Sequence, residues 1–252
     1  MTTHSGGRAS VAPFGIRVRG SGTAPGATMA HPSGGAPAAG LTSGHGPLPR
    51  QSDAPQDGTA RLGARSPDRG IVFPVDTPVF VVVDGPAASG KSTLAPALAQ
   101  RLRLPLLAKD TIKDALMEAT PPADVEHSQQ LGQAAVRVML ALATASPIGA
   151  VLESNFYRSR AAVELARLPG RVVEVFCRCD HEIAKARYRD RSGTRAAGHF
   201  DHLRADSELW NPEVAEPVAG GWPVVEIDTN TPVELSAAIA ALGQAAPWSL
   251  LN

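Results

Sequence analysis

The sequence lacks the features that mark membrane-spanning, secreted or generally nucleic-acid-binding proteins. None of its apolar runs approaches the roughly 18 residues that a membrane-spanning helix requires. The N-terminus has no apolar segment typical of a secretory signal, and two cysteines cannot build a disulfide framework. Basic and acidic residues balance at 24 each, so no positive excess points to nucleic acid. We therefore expect a cytoplasmic protein with no membrane partner and no nucleic-acid partner recruited by overall charge.

Glycine and proline are unevenly distributed along the chain. The first 78 residues contain 14 glycines and 10 prolines and have neither lysine nor glutamate. A segment of this composition buries too little apolar surface to offset the conformational entropy lost on folding. We therefore predict a disordered Gly/Pro-rich tail over residues 1–77, with a targeting segment as the alternative. One folded domain is expected over residues 78–252.

The folded domain opens with a phosphate-binding motif. An apolar, β-branched run from Val79 to Val83 predicts a buried parallel strand, and a helical pattern follows. Between them Gly85–Ser92 matches the pattern GxxxxGK[ST]. Its glycines let the backbone wrap round a phosphate, with N–H groups and the helix N-terminus facing the anion. We expect Lys91 to reach the β- and γ-phosphates and Ser92 to bind Mg²⁺. The predicted nucleotide contacts are Gly85, Ala87, Ala88, Ser89, Gly90, Lys91, Ser92 and Thr93.

An acidic residue follows the second predicted strand. The short apolar segment 104–108 leads into Lys109 and Asp110. In a doubly wound sheet ligands bind at the carboxyl ends of the strands, so Asp110 should lie beside the phosphate-binding loop. There it can orient or deprotonate a substrate hydroxyl. The alternative is that Asp110 only caps the helix predicted over residues 112–119.

A second carboxylate is predicted at the metal. The segment 150–156 reads as a third buried strand with a polar end. Glu153 falls where a P-loop protein places the acid that holds a Mg²⁺-bound water. We therefore predict Ser92 and Glu153 as the magnesium-binding residues.

Basic residues cluster in the helix predicted after the fourth strand. It carries Lys185, Arg187, Arg189 and Arg191, and Arg187 and Arg191 share a face because they are four residues apart. In small kinases a lid closes over the phosphates and supplies arginine to the transferred phosphoryl group. We predict Arg187 and Arg191 as catalytic lid residues, beside Lys91 and Asp110. The alternative is a solvated basic face.

Several of these segments together resemble a known family. Gly85–Ser92 and the segments 108–113, 152–156, 175–195 and 227–229 are similar to the small P-loop kinases known as AAA-domain ATP-binding proteins. That group resembles gluconate and shikimate kinases, chloramphenicol phosphotransferase, zeta toxins and polynucleotide kinases. The resemblance implies an α/β fold with a doubly wound parallel sheet of five strands in the order 2-3-1-4-5, and a helical lid. It further implies ATP and Mg²⁺, with Asp228 and Thr231 near the adenine.

The motifs and the resemblance predict a kinase that transfers the γ-phosphoryl group of Mg·ATP to a hydroxyl of a small molecule. We expect a monomer or a homodimer. Two alternatives remain open: an ATP-binding regulatory or toxin-like protein without a metabolite acceptor, and a nucleic-acid 5′-hydroxyl kinase. The second would need a basic groove, and residues 79–252 hold 17 basic against 20 acidic residues.

Overall fold

A mostly parallel sheet of seven strands organises the chain. The computed structural model describes residues 10–12, 15–20, 77–193 and 195–246. The strands within them are β1 Ser10–Ala12, β2 Ile16–Arg19, β3 Val79–Asp84, β4 Leu106–Ala108, β5 Gly149–Glu153, β6 Arg171–Arg178 and β7 Val224–Asp228. They lie side by side in the order β1-β2-β7-β6-β3-β5-β4.

The five strands β3 to β7 are parallel and confirm the predicted topology. β3 lies between β5 and β6, with β4 beyond β5 and β7 beyond β6. Counted from β3 as strand 1, this is the predicted order 2-3-1-4-5. Every residue of β3 and β5 is buried, as expected for apolar strands whose two faces are both covered.

Helices cover both faces of this sheet. They are α1 Lys91–Leu102, α2 Lys109–Ala119, α3 Val125–Ala145, α4 Arg158–Leu165, α5 His181–Ser192, α6 Asp206–Leu209, α7 Pro212–Ala215 and α8 Leu235–Ala245, with 3-10 turns at Ala197–His199 and Asp201–Leu203. Successive residues of β3 point to opposite faces. Val81 packs in the core formed with α1 and α8, and Phe80 packs in the core formed with α3 and α4. None of the helices in the described segments is long and apolar enough to cross a membrane.

Two antiparallel strands from the N-terminal segment extend the sheet to seven strands, so the predicted number of five was too small. β2 pairs with β7, which places Ile16 opposite Ile227, and β1 pairs with β2. Ile16 is only 1% exposed and belongs to the core shared with α1 and α8. At the other end of β2, Arg19 Nε lies 2.5 Å from Glu226 Oε1.

The prediction of a disordered tail over residues 1–77 is therefore wrong at residues 10–12 and 15–20. The alternation of Ile16 and Val18 with two arginines is a period-two pattern that suits a strand with one buried face. Because this pattern is only four residues long and lies in a Gly/Pro-rich segment, the composition of the segment outweighed it in the prediction. The rest of the predicted tail, residues 1–9, 13–14 and 21–76, lies outside the described residues.

Candidate active site

The phosphate-binding loop follows β3 and has the backbone geometry that its glycines allow. Gly85 has φ +140°, and a Cβ there would lie 2.6 Å from the carbonyl oxygen of Cys177. Gly90 has φ +92° and occupies the N-cap position of α1, where a left-handed backbone favours glycine. Ala88 also has a positive φ, of 57°. The loop therefore curls tightly against the end of β6, just before the N-terminus of α1.

Lys91 is the first residue of α1 and is buried inside the loop. Its Nζ donates to the carbonyl oxygens of Gly85 at 2.8 Å and Pro86 at 2.6 Å. Burial lowers the pKa of Lys91, and the nearby Glu153 carboxylate opposes that shift. The side chain is thus held at the mouth of the loop by backbone carbonyls that a phosphate group could replace as partners.

Ser92 and Glu153 lie together, as expected for two groups that share a metal ion. Ser92 Oγ donates to Glu153 Oε1 at 3.2 Å. Burial raises the pKa of Glu153, while Lys91 and the hydrogen bond from Ser92 act in the opposite direction. A hydroxyl and a carboxylate oxygen are hard donors of the kind that Mg²⁺ prefers. The residues present therefore fit a magnesium ion.

Asp110 points into the site from the first turn of α2. The structure rejects the capping alternative, because α2 begins at Lys109, its N-cap residue is Ala108 and no side chain caps it. Asp110 Oδ1 lies 2.8 Å from Lys109 Nζ, and Oδ2 accepts from Arg195 Nη2 at 2.7 Å. Burial alone would raise the pKa of Asp110, but the charges of Lys109 and Arg195 hold it well below its ordinary value. Asp110 is therefore an ionised hydrogen-bond acceptor.

Arg195, which was not among the predicted site residues, links Asp110 to a cluster of further residues that were not predicted either. Arg195 Nη1 lies 3.1 Å from both carboxylate oxygens of Asp201. His199 is buried, with Nδ1 at 3.0 Å from Arg195 Nη2 and Nε2 at 2.6 Å from Asp114 Oδ1. Burial and the charge of Arg195 lower the pKa of His199. The sequence signal that could have identified this cluster is Arg195, which follows the Arg-rich helix.

The two predicted lid arginines occupy different places. Arg187 Nη1 donates to the carbonyl oxygen of Thr229 at 2.9 Å, and Nη2 donates to that of Asn230 at 3.0 Å. Arg191 instead lines the same cavity as Lys91 and Asp110, with its guanidinium 5.3 Å from the Tyr188 ring centre. Arg187 therefore fixes the loop after β7; both arginines line a groove along the phosphate-binding loop, and Arg191 alone also lines the cavity of Lys91 and Asp110.

A groove of about 580 Å³ runs along the outside of the phosphate-binding loop. Ala88–Leu94 line it on one side, and Thr229, Thr231 and Pro232 line it on the other. The predicted contact Thr231 therefore lies in the groove. The other predicted contact, Asp228, is not among the residues that line the groove; its amide donates to the Gly15 carbonyl oxygen at 3.1 Å, and its Oδ1 accepts from the Asn230 amide at 2.8 Å.

Thr229, which lies between the two predicted adenine contacts, is a buried residue of this groove. Its Oγ1 lies 2.7 Å from the Ser89 carbonyl oxygen and 2.8 Å from the Arg178 carbonyl oxygen. It thus ties the phosphate-binding loop to the ends of β6 and β7.

The segment 181–211, which we call the lid segment, packs directly on the phosphate-binding loop. Trp210 Nε1 donates to the Ala87 carbonyl oxygen at 3.2 Å, and the Ala87 amide donates to the Leu209 carbonyl oxygen at 3.4 Å. Tyr188 joins Ala87, Ala88 and Leu209 in a small apolar cluster. The lid segment therefore closes one side of the site.

Two further cavities adjoin the groove. A cavity of about 80 Å³, called the transfer chamber after the role proposed for it below, brings together Lys91, Ser92, Asp110, Glu153 and Arg191. A cavity of about 400 Å³ lies next to it, between α2, α3 and α4, and is called the acceptor cavity on the same ground. The chamber shares Lys91, Ser92 and Arg191 with the groove, and it shares Lys109, Lys113, Ser154, Asn155 and Arg204 with the acceptor cavity. The chamber therefore adjoins both of the other spaces.

Comparison with known proteins agrees with this geometry. A family model described as an AAA domain matches residues 80–211. No curated protein matches the chain significantly. The crystal structure of a candidate kinase from Chloroflexus aurantiacus is 29% identical, with a TM-score of 0.62, over 68% of this chain and 99% of that chain. The fold and the resemblance to small P-loop kinases predicted from the motifs are thereby confirmed.

Two solved structures are similar at lower identity. A shikimate kinase from Acinetobacter baumannii is 23% identical, with a TM-score of 0.44, over 67% of this chain and 92% of that chain. A sugar kinase from Janibacter is 21% identical, with a TM-score of 0.42, over 70% of this chain and 99% of that chain.

Proposed function

Because the chain belongs to the AAA domain family, we propose that it is a kinase that transfers the γ-phosphoryl group of Mg·ATP to a hydroxyl of a small molecule. The observation that carries the proposal is the adjacency of the groove, the transfer chamber and the acceptor cavity, since the chamber shares lining residues with each of the other two. Phosphoryl transfer needs donor, acceptor and charge-stabilising groups held in line, and a separate acceptor cavity beyond the P-loop meets that need. The reaction would take place in the cytoplasm, where Mg·ATP is available.

On the donor side, the amides of the loop and Lys91 would hold the phosphates, and Thr231 would border the nucleoside. Lys91 would exchange the carbonyl oxygens of Gly85 and Pro86 for phosphate oxygens. Each such contact pairs the ammonium with an anionic oxygen and is therefore stronger than the bond to a neutral carbonyl oxygen that it replaces. Arg187 would contribute indirectly, because it fixes the loop that carries Thr229 and Asn230.

Ser92 and Glu153 would hold Mg²⁺, since their oxygens already lie 3.2 Å apart at the edge of the chamber. When bound, the ion would neutralise charge on the phosphates. For Glu153 to contribute, its carboxyl must be ionised, and the neighbouring ammonium of Lys91 favours that form.

On the acceptor side, Asp110 would accept a hydrogen bond from the hydroxyl and orient its oxygen toward the γ-phosphorus. The new O–P bond forms as the bond to the ADP oxygen breaks, and the hydroxyl proton passes to Asp110. The low pKa of Asp110 while Lys109 and Arg195 face it makes it a weak base early in the reaction. Its first task is therefore orientation, which is the larger requirement in phosphoryl transfer.

Arg191 would stabilise the charge that spreads over the transferred phosphoryl group. It lines both the groove and the chamber, as a group acting between donor and acceptor must. Arg195 would act beside it through its hydrogen bond to Asp110.

Two measurements test the proposal. Isothermal titration should show Mg·ATP binding by the wild type and a loss of at least about tenfold in affinity for Lys91→Ala, because a charge-assisted phosphate contact is lost. ADP release should then rise when hydroxylated metabolites are added. Equal ATP binding by both proteins would contradict nucleotide binding at this loop. ATP binding without acceptor-stimulated turnover across sugars, nucleosides and antibiotics would favour the regulatory alternative.

A further inference from the structure

We infer that the hydroxyl acceptor carries a negatively charged group, a carboxylate or a phosphate, and that Lys113 binds it. This inference rests on the proposed function and concerns the acceptor cavity. It follows from the charges that line the cavity and from the partner that Lys113 has in the absence of a ligand.

Lys113 is a buried cation whose hydrogen-bond partner is neutral. The residue is 3% exposed, and its Nζ donates to Ser128 Oγ at 2.7 Å. The Ser128 hydroxyl in turn donates to the Gly198 carbonyl oxygen at 2.6 Å. A buried ammonium is costly unless an opposite charge compensates it. A hydroxyl satisfies one of the ammonium's hydrogen bonds but supplies no negative charge.

The charged groups around Lys113 add to the uncompensated positive charge at this site. Burial and the positive charges of Lys109, Arg204 and Arg195 lower the pKa of Lys113 to about 8. Asp110 acts in the opposite direction, but its carboxylate already pairs with Lys109 and Arg195. Asp110, the carboxylate that favours the charged form of Lys113, is therefore already shared between two other cations.

The residues that line the acceptor cavity also have more positive than negative charges. Four basic residues line it, Lys109, Lys113, Arg160 and Arg204, against two acidic ones, Glu164 and Glu208. Each acid faces an arginine four residues before it: Arg204 Nε lies 2.5 Å from Glu208 Oε2, and Arg160 Nη2 lies 3.8 Å from Glu164 Oε1. No residue of Gly85–Ser92 lines this cavity, although Lys109, Lys113 and Arg204 also line the transfer chamber beside Lys91 and Ser92. The probes below are therefore tested with an ATP analogue bound, so that phosphates already occupy the loop.

The remaining lining suits a polyhydroxylated molecule. Gln129, Gln133 and Asn155 present side-chain amides to the cavity, and an amide can both donate to and accept from hydroxyl groups. A volume of about 400 Å³ accommodates a metabolite rather than a polymer chain. The class of acceptor is therefore a small hydroxy acid or a phosphorylated polyol.

The test compares probes that share hydroxyl groups and differ in charge. One set is glycerol, glycerate and glycerol 3-phosphate, and a second set is sorbitol, gluconate and sorbitol 6-phosphate. Binding is measured by isothermal titration to the full chain with a non-hydrolysable ATP analogue and Mg²⁺ present. We expect the charged members of at least one set to bind about tenfold or more tightly than the neutral member, as for a hydrogen bond to a charged group. If one charged probe of a set binds more tightly than the other, the tighter one shows whether the acceptor carries a carboxylate or a phosphate.

A matched pair of variants assigns the effect to Lys113. Lys113→Met keeps the length of the side chain and removes its charge, so the preference for charged probes should fall about tenfold. Lys185→Met is the control, because Lys185 pairs with Asp206 on the lid segment and lines none of the three cavities; it should keep the preference. Circular dichroism verifies that each variant is folded.

The outcomes separate the inference from the proposed function. Equal binding of charged and neutral probes by the wild type, including no binding by either, would overturn the inference, and so would a preference that Lys113→Met leaves intact. Should Lys113→Met not fold, the wild-type comparison alone decides. A failure of the ATP analogue itself to bind would instead contradict the proposed function.

Discussion

The guanidinium of Arg195 joins two carboxylates, with Nη2 2.7 Å from Asp110 Oδ2 and Nη1 3.1 Å from Asp201 Oδ1. Asp110 belongs to the first turn of α2, whereas Asp201 begins the 3-10 turn of the lid segment. The second residue of α2 and a residue 91 positions later in the chain are thereby held by one side chain. The position of the lid segment is thus linked to the group that we propose orients the acceptor.

The first prediction concerns Asp110→Asn. This change keeps the shape of the side chain but removes its charge and most of its capacity to accept a proton. Acceptor-dependent turnover should fall at least about a hundredfold, whereas the dissociation constant for ATP should change little. Steady-state kinetics and isothermal titration measure the two effects. Asp190→Asn, an exposed residue of α5, is the control, and near-wild-type turnover of Asp110→Asn would remove Asp110 from the active site.

The second prediction separates Arg187 from Arg191. Arg191→Ala should lower kcat about a hundredfold with little change in ATP affinity, because its charge acts on the transferred phosphoryl group. Arg187→Ala should weaken ATP binding about tenfold, because the carbonyl groups of Thr229 and Asn230 lose their donors and the loop beside the groove is no longer fixed. Kinetics at saturating ATP, with Arg137→Ala as an exposed control, distinguish the two. The reverse pattern would show that Arg187 is the catalytic arginine.

The third prediction concerns the N-terminal strand. Ile16→Ala should lower the free energy of unfolding by about 2–4 kcal/mol, as expected for a large apolar side chain removed from a core. Arg17→Ala, at the exposed neighbouring position, should change it by less than about 0.5 kcal/mol. Urea unfolding of both variants measures the difference. Two coincident unfolding curves would mean that β2 contributes no stability.

The fourth prediction is a pH dependence of stability from Asp84. Burial, and next the charge of Glu174, raise the pKa of Asp84 from 3.8 to about 8 in the folded protein. Between about pH 4 and 8 the folded state then holds a proton that the unfolded state has released. The contribution of this carboxyl to the free energy of unfolding should therefore decrease as the pH rises through that window.

Asp84→Asn tests this directly. Its amide oxygen can still accept from the Gly85 amide, at 2.6 Å in the wild type, and from the Phe156 amide, at 2.9 Å, but it does not titrate. Denaturant unfolding at several values between pH 5 and 8 should give a flatter dependence for the variant than for the wild type. Parallel profiles would show that Asp84 is ionised throughout this range.

The parallel part of the fold could be predicted because its signals are local. The unbroken apolar run of β3 and the glycine spacing of the loop each fix a strand or a turn without reference to distant residues. The same holds for Lys91, Ser92 and Glu153, since strand, loop and helix follow one another directly and the third strand pairs with the first. Their roles remain predictions, but their proximity followed from the topology.

The remaining features depend on contacts between distant residues. Arg195 meets Asp110 across 85 positions, and Thr229 meets Ser89 across 140, so no window of sequence contains both partners. Arg187 and Arg191 share a helix face, yet only Arg187 donates hydrogen bonds to the loop after β7, and only Arg191 lines the chamber. β2 was missed for the same reason, because its pairing partner β7 lies more than 200 residues away.

The antiparallel pairing of β2 with β7 also protects the rim of the sheet. Without it, Val224–Asp228 would present unpaired backbone donors and acceptors along a stretch of mostly apolar residues. Separate chains can associate by pairing through an edge of this kind. A chain without β1 and β2 would leave that rim bare, with the five-residue β7 as edge strand in place of the three-residue β1. We therefore expect the loss of these two strands to lower the solubility of the purified protein before it affects the chemistry of the site.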